Sequence, residues 1–143
     1  MATEYAGISR TYGADEDRST KQFFKFKHHS TAGQVTLCSA ITDFPVGTLQ
    51  NKPAAAGRAA EIMMIGWSKV EVEATSDIAI GDKLGPHTDG RLIKKSVADN
   101  DVVNAIAEAA ATSVTGDIIT AMVFPASWVT VAYGVSAEDL RVP

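Results

Sequence analysis

The residue types that could carry out chemistry are sparse in this sequence. Its three histidines are His28, His29 and His87. His28 and His29 are adjacent, so on a strand their side chains point to opposite faces and do not chelate one ion. His87 lies in a Gly-Pro-His-Thr-Asp-Gly stretch that indicates a turn. The sequence therefore predicts no metal site.

The candidate nucleophiles and acids are equally weak. Residues 66–70, Gly-Trp-Ser-Lys-Val, begin like the Gly-x-Ser-x-Gly nucleophile elbow, but Val70 stands where the second glycine is needed. Asp99 and Asp101 lack the glycine and the final glutamate of a calcium loop. Cys38 is the one cysteine, which excludes internal disulfides, and a buried free cysteine usually packs as a small hydrophobe. We predict that the protein is not an enzyme and uses no cofactor.

Length and composition predict one globular domain. The chain has 143 residues, of which 45% are hydrophobic and 21% are charged. Its 13 Lys+Arg and 17 Asp+Glu give a net charge of −4, which argues against binding to duplex nucleic acid. No apolar run approaches the roughly 20 residues of a membrane span, and residues 1–10 do not resemble a secretory signal. We expect a protein that stays inside a cell until it joins a partner.

Residues 34–124 read as a series of short strands. From Ile62 to Ala74 the even positions are apolar or small, and the odd positions from Trp67 are mostly charged, so the even face is predicted to point inward. Asp89-Gly90 is a hairpin signal. The Ala-rich stretch 102–111 has helix propensity, but a polar turn cluster and a β-branched segment follow it. We therefore predict a strand there.

A weak internal similarity links two parts of this region. Residues 46–49 lead through an Ala-rich stretch to Gly57 and then to Ile62, and residues 103–106 lead similarly to Gly116 and then to Ile118. Two copies of one strand-loop-strand unit would explain the similarity, and so would chance.

The two ends of the chain differ from the middle. Residues 1–33 show no sustained helical or strand period, yet they are rich in Phe and Lys. We predict an extended N-terminal arm that is mobile in the free protein and becomes ordered on a partner. Residues 125–143 are predicted to be a last strand or a tail. The anchors of the arm are predicted to be Phe23, Phe24, Lys25, Phe26 and Lys27.

Turn glycines and apolar strands follow one another in a particular order through the middle of the chain. The stretches are 46–57, 59–70, Ile78-Ala79-Ile80-Gly81-Asp82-Lys83-Leu84, and 103–110 with Gly116-Asp117. In the order and spacing of these stretches, rather than in any single motif, about residues 34–124 resemble the tailed-phage head decoration proteins, also called capsid cement proteins. Asn104 stands where the family commonly has Gly, and Asn is the residue that next best tolerates a positive φ.

The resemblance implies a mainly β fold with a small β-barrel or β-tulip-like domain. It also implies homotrimers on the outer surface of the virion, near three-fold and quasi-three-fold positions, that bridge neighbouring subunits of the major capsid protein. Our leading hypothesis is therefore a structural cement protein with no nucleic-acid or membrane partner. Repeated contacts at many symmetric sites would stabilise a capsid without any active site.

The exposed aromatic residues allow a second hypothesis. A virion-surface module that recognises host carbohydrate could use Trp67, Trp128 and Tyr133 as a stacking platform. Aromatic residues scattered over strands more often pack in cores or interfaces, so under the leading hypothesis the same three residues are interface candidates. For Trp67 the charged neighbours on its strand also suggest an interface anchor. The alternative for Trp67 is that it covers the end of a barrel. A small-barrel enzyme ranks last, for want of catalytic groups.

Overall fold

The computed structural model describes residues 7–73, 77–95, 101–112 and 115–128. These residues form strands and turns and contain no helix, so none of them forms a helix that could cross a membrane. The prediction of a mainly β fold is confirmed. The strands are β1 (Gly7–Ala14), β2 (Lys25–His28), β3 (Gln34–Leu37), β4 (Gly47–Leu49), β5 (Ala59–Val72), β6 (Lys83–Pro86), β7 (Leu92–Lys94), β8 (Val102–Ala107) and β9 (Asp117–Trp128).

The nine strands form two closed rings that share β5. The first ring has the order β1-β3-β2-β4-β5 and closes through the pairing of β1 with β5. The second has the order β5-β7-β6-β8-β9 and closes through the pairing of β5 with β9. The change of ring falls at Gly66, which pairs with Gly7 of β1 and with Val123 of β9.

Each ring encloses its own apolar core. The predicted alternation of β5 is confirmed from residue 66 to 72, where the even positions are buried and Trp67 and Lys69 are exposed. Because β5 contributes inward side chains to both rings, it joins the two cores into one domain. The core of the first ring includes Tyr12, Phe24, Phe26, Val35, Leu49 and Ile62, and that of the second includes Val70, Val72, Leu84, Leu92, Ile119 and Val123.

The two rings repeat one five-strand unit. In each unit, the first strand is parallel to the third strand and antiparallel to the fifth strand, and it pairs with both. The second strand pairs with the third and fourth strands, and the fourth strand pairs with the fifth. The second half of β5 is the first strand of the second unit. Two pairs of equivalent strands start at the same distance from each other along the chain. The number of residues from the start of β2 at Lys25 to the start of β6 at Lys83 equals the number from the start of β3 at Gln34 to the start of β7 at Leu92.

Single backbone hydrogen bonds repeat at this same spacing. The Phe23 N–H donates to the Leu49 carbonyl at 2.7 Å, and at the equivalent positions of the second unit the Gly81 N–H donates to the Ala107 carbonyl at 2.8 Å. Both donors lie in turns at positive φ, 72° for Phe23 and 91° for Gly81. The similarity seen between residues 46–64 and 103–119 is therefore structural.

The predicted N-terminal arm is wrong for residues 7–33. β1 and β2 are members of the first ring, and Phe24, Lys25 and Phe26 are buried within the chain itself. The aromatic cluster that indicated a partner packs inside this chain instead, because Phe24 and Phe26 are two of the large side chains that fill the core of the first ring. Residues 1–6 lie outside the described residues.

Other predictions have mixed outcomes. The strand at 102–107 and the hairpin around Asp89-Gly90 are confirmed. The predicted boundary at residue 125 is wrong, because β9 continues through Pro125 to Trp128. The pairing of β9 with β5 ends at Val123, so the missing N–H of Pro125 breaks no hydrogen bond to β5. Asn104 does not have a positive φ and is a buried residue of β8.

Candidate functional site

Six exposed apolar side chains lie next to one another on the outside of the domain. Ile8 of β1 is the cross-strand partner of Ile65 of β5, and Trp67, two residues further along β5, is the partner of Met122 of β9. The ring of Phe44 contacts that of Trp128, with 5.2 Å between centroids. We call the following set the apolar surface: Ile8, Phe44, Ile65, Trp67, Met122 and Trp128.

A groove lies beside Ile8, Phe44 and Ile65 of this surface. It has a volume of about 260 Å³ and separates Ile8 and Ile65 on one side from Pro125 and Ala126 of β9, with Phe44 among the residues that line it. The groove exists because β9 leaves β5 after Val123, while the first half of β5 pairs instead with β4 and β1. Its walls are almost entirely apolar, which suits an aliphatic or aromatic side chain from a partner.

Trp67 is held in place although it is 39% exposed. Its indole N–H donates to a carboxylate oxygen of Glu108 at 2.8 Å, across from β5 to the turn after β8. The hydrogen bond fixes the orientation of the ring, so little rotamer entropy remains to be lost when a partner covers it. Trp128, at the far end of the surface, is 64% exposed.

The predicted interface residues do not lie together. Trp67 and Trp128 belong to the apolar surface, whereas Phe23 is half-buried in a turn on another part of the domain. Lys27 is partly buried and forms an ion pair with Asp43 at 2.8 Å. Phe24, Lys25 and Phe26 are core residues in this chain, so their prediction as surface anchors is corrected. Tyr133 lies outside the described residues.

Sequence reasoning missed most of the apolar surface. Ile8, Phe44 and Met122 come from three separate parts of the chain and carry no local pattern of their own. The alternation of β5 was the available signal, because it placed Ile65 on the same outward face as Trp67.

Lys25 is fully buried and has no carboxylate partner among the described residues. Its ammonium donates to the Thr48 hydroxyl at 2.5 Å, and its backbone carbonyl accepts from the Cys38 N–H at 3.0 Å. Burial lowers the pKa of Lys25 to about 7, with a small opposing effect of the Cys38 thiol. Burial also raises the pKa of Cys38 to about 12, so this thiol is not a nucleophile at neutral pH.

One group of described side chains has the types that bind metal ions. The ligand atoms of Glu73, His87 and Asp89 lie within 4.8 Å of one another. Arg91 already bonds Asp89 at 2.7 Å and Glu71 at 2.7 Å, and its guanidinium lies 3.9 Å from Glu73. Although burial opposes it, hydrogen bonding to Arg91 lowers the pKa of Asp89 to about 2. The group therefore acts as an ion-pair network that joins β7 to the end of β5.

Comparison with known proteins gives one informative likeness. No family model matches the chain, and no curated protein matches it. Among solved structures, the chain is similar to the N base of head fiber gp8.5 in bacteriophage phi29, with a TM-score of 0.57 and 19% sequence identity. The alignment covers 81% of this chain and 92% of that chain. At this identity the likeness shows a shared fold.

Proposed function

We propose that this protein is a structural component of a phage head that binds the capsid without catalysing a reaction. The observation that carries the proposal is the two-ring fold, which is similar over most of both chains to the base of a phage head fiber. The sequence resemblance to head decoration proteins points to the same particle. A base of this kind requires a stable core and an adhesive surface.

The apolar surface is the proposed contact with the major capsid protein. Two Trp, a Phe and a Met are the residue types most enriched in the energetically important part of protein interfaces. Phe44 contacts Trp128, Trp67 pairs with Met122, and the groove that Phe44 lines provides a cavity for a partner side chain. An isolated domain would gain nothing from exposing them, since large exposed apolar patches promote aggregation.

The finer proposal is a cement protein. Three copies would surround a three-fold or quasi-three-fold axis on the outer capsid surface, each contacting neighbouring capsid subunits, after folding in the host cytoplasm. The resemblance of residues 34–124 to head decoration proteins supports this arrangement. A trimer would also multiply each weak contact through shared attachment.

Co-sedimentation with emptied heads of the encoding phage tests the proposal. We expect the purified protein to sediment with the heads and Trp67→Ala to lower its affinity at least tenfold. Ile80→Ala is the matched control, because Ile80 is 72% exposed but lies in a turn outside the apolar surface. Failure of the wild-type protein to sediment with heads would refute the proposed function, and an equal loss in both variants would refute the role of the apolar surface.

A further inference from the structure

A second depression lies between the two units, outside the apolar surface. It has a volume of about 330 Å³ and lies where the turn before β2, the loop after β4 and the ends of β5 and β9 meet. Its lining combines two apolar residues, Phe23 and Ile118, with the polar side chains of Gln22, Lys52 and Glu71 and two hydroxyl residues. This mixture differs from the apolar walls of the other groove.

Phe23 has an unfavourable backbone conformation. Its φ of 72° is the one positive φ of a non-glycine residue in the described parts of the chain. A bulky residue in this region is strained, and such strain persists where the surrounding structure enforces it. Two backbone hydrogen bonds do so here: the Phe23 N–H donates to Leu49 at 2.7 Å, and its carbonyl accepts from the Glu71 N–H at 3.1 Å.

The second unit shows that this turn does not need a phenylalanine. The equivalent turn, which precedes β6, has Gly81 at the position of Phe23 and makes the same backbone hydrogen bond to the fourth strand. Gly is the residue that adopts this φ without strain. The polar lining differs as well, since Ile80 and Ala110 correspond to Gln22 and Lys52. The first unit therefore carries Phe23, Gln22 and Lys52 at positions where the second unit has neither an aromatic nor a polar side chain.

The polar groups of the depression are already oriented. The Gln22 side-chain amide donates to the Gln50 carbonyl at 2.8 Å, and a Glu71 carboxylate oxygen accepts from Arg91 at 2.7 Å. One cation, Lys52, and one carboxylate give the site both donors and acceptors with no strong charge of one sign. A neutral ligand rich in hydroxyl groups, with one apolar face to lie on an aromatic ring, matches this arrangement.

We propose that this depression binds a saccharide, with a pyranose ring on Phe23 and its hydroxyl groups at Gln22, Lys52 and Glu71. The site would let a head-bound protein also hold a sugar of the host surface, which goes beyond the proposed structural role. It does not depend on capsid binding, because the depression and the apolar surface use different residues. The aromatic group that carries it is Phe23 rather than Trp67, Trp128 and Tyr133.

Titration of the ¹⁵N-labelled protein with three methyl glycosides, those of glucose, galactose and N-acetylglucosamine, tests the proposal by NMR. We expect at least one glycoside to bind in the millimolar range and to shift the amide signals of Gln22, Phe23, Lys52 and Glu71. Phe23→Gly, which installs the residue of the second unit, should lower the affinity at least tenfold without lowering the melting temperature. Phe44→Ala, an exposed aromatic of the apolar surface, should bind as the wild type does.

Lys52→Ala provides a second variant, because Lys52 is exposed and its truncation leaves the fold intact. It should weaken binding of the same glycoside at least threefold. The proposal is overturned if none of the three glycosides shifts these signals, or if Phe23→Gly and Lys52→Ala bind as tightly as the wild type. Neither result would affect co-sedimentation with heads, so the two proposals fail separately.

Discussion

Replacing Lys25 with methionine should make this protein more stable and change how its stability depends on pH. Met has nearly the shape of Lys but no charge to desolvate in the core. The pKa of Lys25 is about 7 in the folded protein and 10.5 in the unfolded chain. Between these two values the unfolded chain binds a proton that the folded protein does not, so the stability of the wild type rises with pH.

The magnitude follows from the two pKa values of Lys25. Each pKa unit corresponds to about 1.4 kcal/mol, so the free energy of unfolding should rise by about 2 kcal/mol between pH 7 and pH 9. Below pH 7 both states are protonated, and this contribution to stability stays at its minimum. Lys25→Met should be more stable than the wild type by about 2–4 kcal/mol at pH 7 after the lost hydrogen bond to Thr48 is included.

Cys38 produces the opposite dependence at higher pH. Its thiol has a pKa of about 12 when folded and 9.0 when unfolded, so stability falls as pH rises through this range. The wild type should therefore be most stable between pH 9 and pH 10.5, where the two effects offset each other. Cys38→Ala should remove the fall at high pH and leave the rise at lower pH unchanged.

Urea unfolding of the wild type and both variants, measured across this pH range, checks these expectations. Burial also lowers the pKa of Lys95, so the free energy of unfolding of Lys25→Met should still rise with pH, but less steeply than that of the wild type. If the free energy of unfolding of Lys25→Met rose with pH as steeply as that of the wild type, the assignment of this pH dependence to Lys25 would be refuted. If Lys25→Met were less stable than the wild type at every pH, the favourable contacts of the Lys25 ammonium in the core would exceed the free-energy cost of its desolvation.

Three further changes test the fold and the apolar surface. Trp67→Ala should weaken capsid binding and shift the melting temperature only slightly, because Trp67 is exposed and its hydrogen bond to Glu108 lies at the surface. If the variant unfolded instead, Trp67 would be a core residue. Deleting residues 1–27 should abolish cooperative unfolding in circular dichroism, because the deletion removes β1 and most of β2; a folded product would show that the first ring is dispensable. Gly47→Ala should lower stability in urea by about 2 kcal/mol or more, because a Cβ there would overlap the backbone of Met63; a neutral result would mean that β4 can move away from β5.

Local patterns predicted several of the strands after residue 33, but neither β1 and β2 nor the closure of the strands into rings. The alternation of β5 and the hairpin signal at Asp89-Gly90 are properties of neighbouring residues, so they are readable in sequence. The role of Phe24 and Phe26 depends on pairing between β2, β3 and β4, and no local pattern distinguishes an aromatic that fills a core from one that meets a partner. The arm was predicted for that reason.

The repeat of the five-strand unit was only partly detectable in the sequence. Several backbone hydrogen bonds repeat at the same spacing along the chain, but the side chains at equivalent positions have diverged, as Phe23 and Gly81 illustrate. Shared turn glycines such as Gly57 and Gly116 were the remaining signal, and glycines alone recur by chance. The apolar surface was less predictable still, because it is assembled from both rings.

A cryo-EM map of the native phage head to which this protein is proposed to bind tests the central claim most directly. The proposed function predicts density for this nine-stranded domain on the outer capsid surface at three-fold and quasi-three-fold positions, with Trp67 and Trp128 against a capsid subunit. Heads that lack the domain, or that carry it with the apolar surface facing solvent, would contradict it.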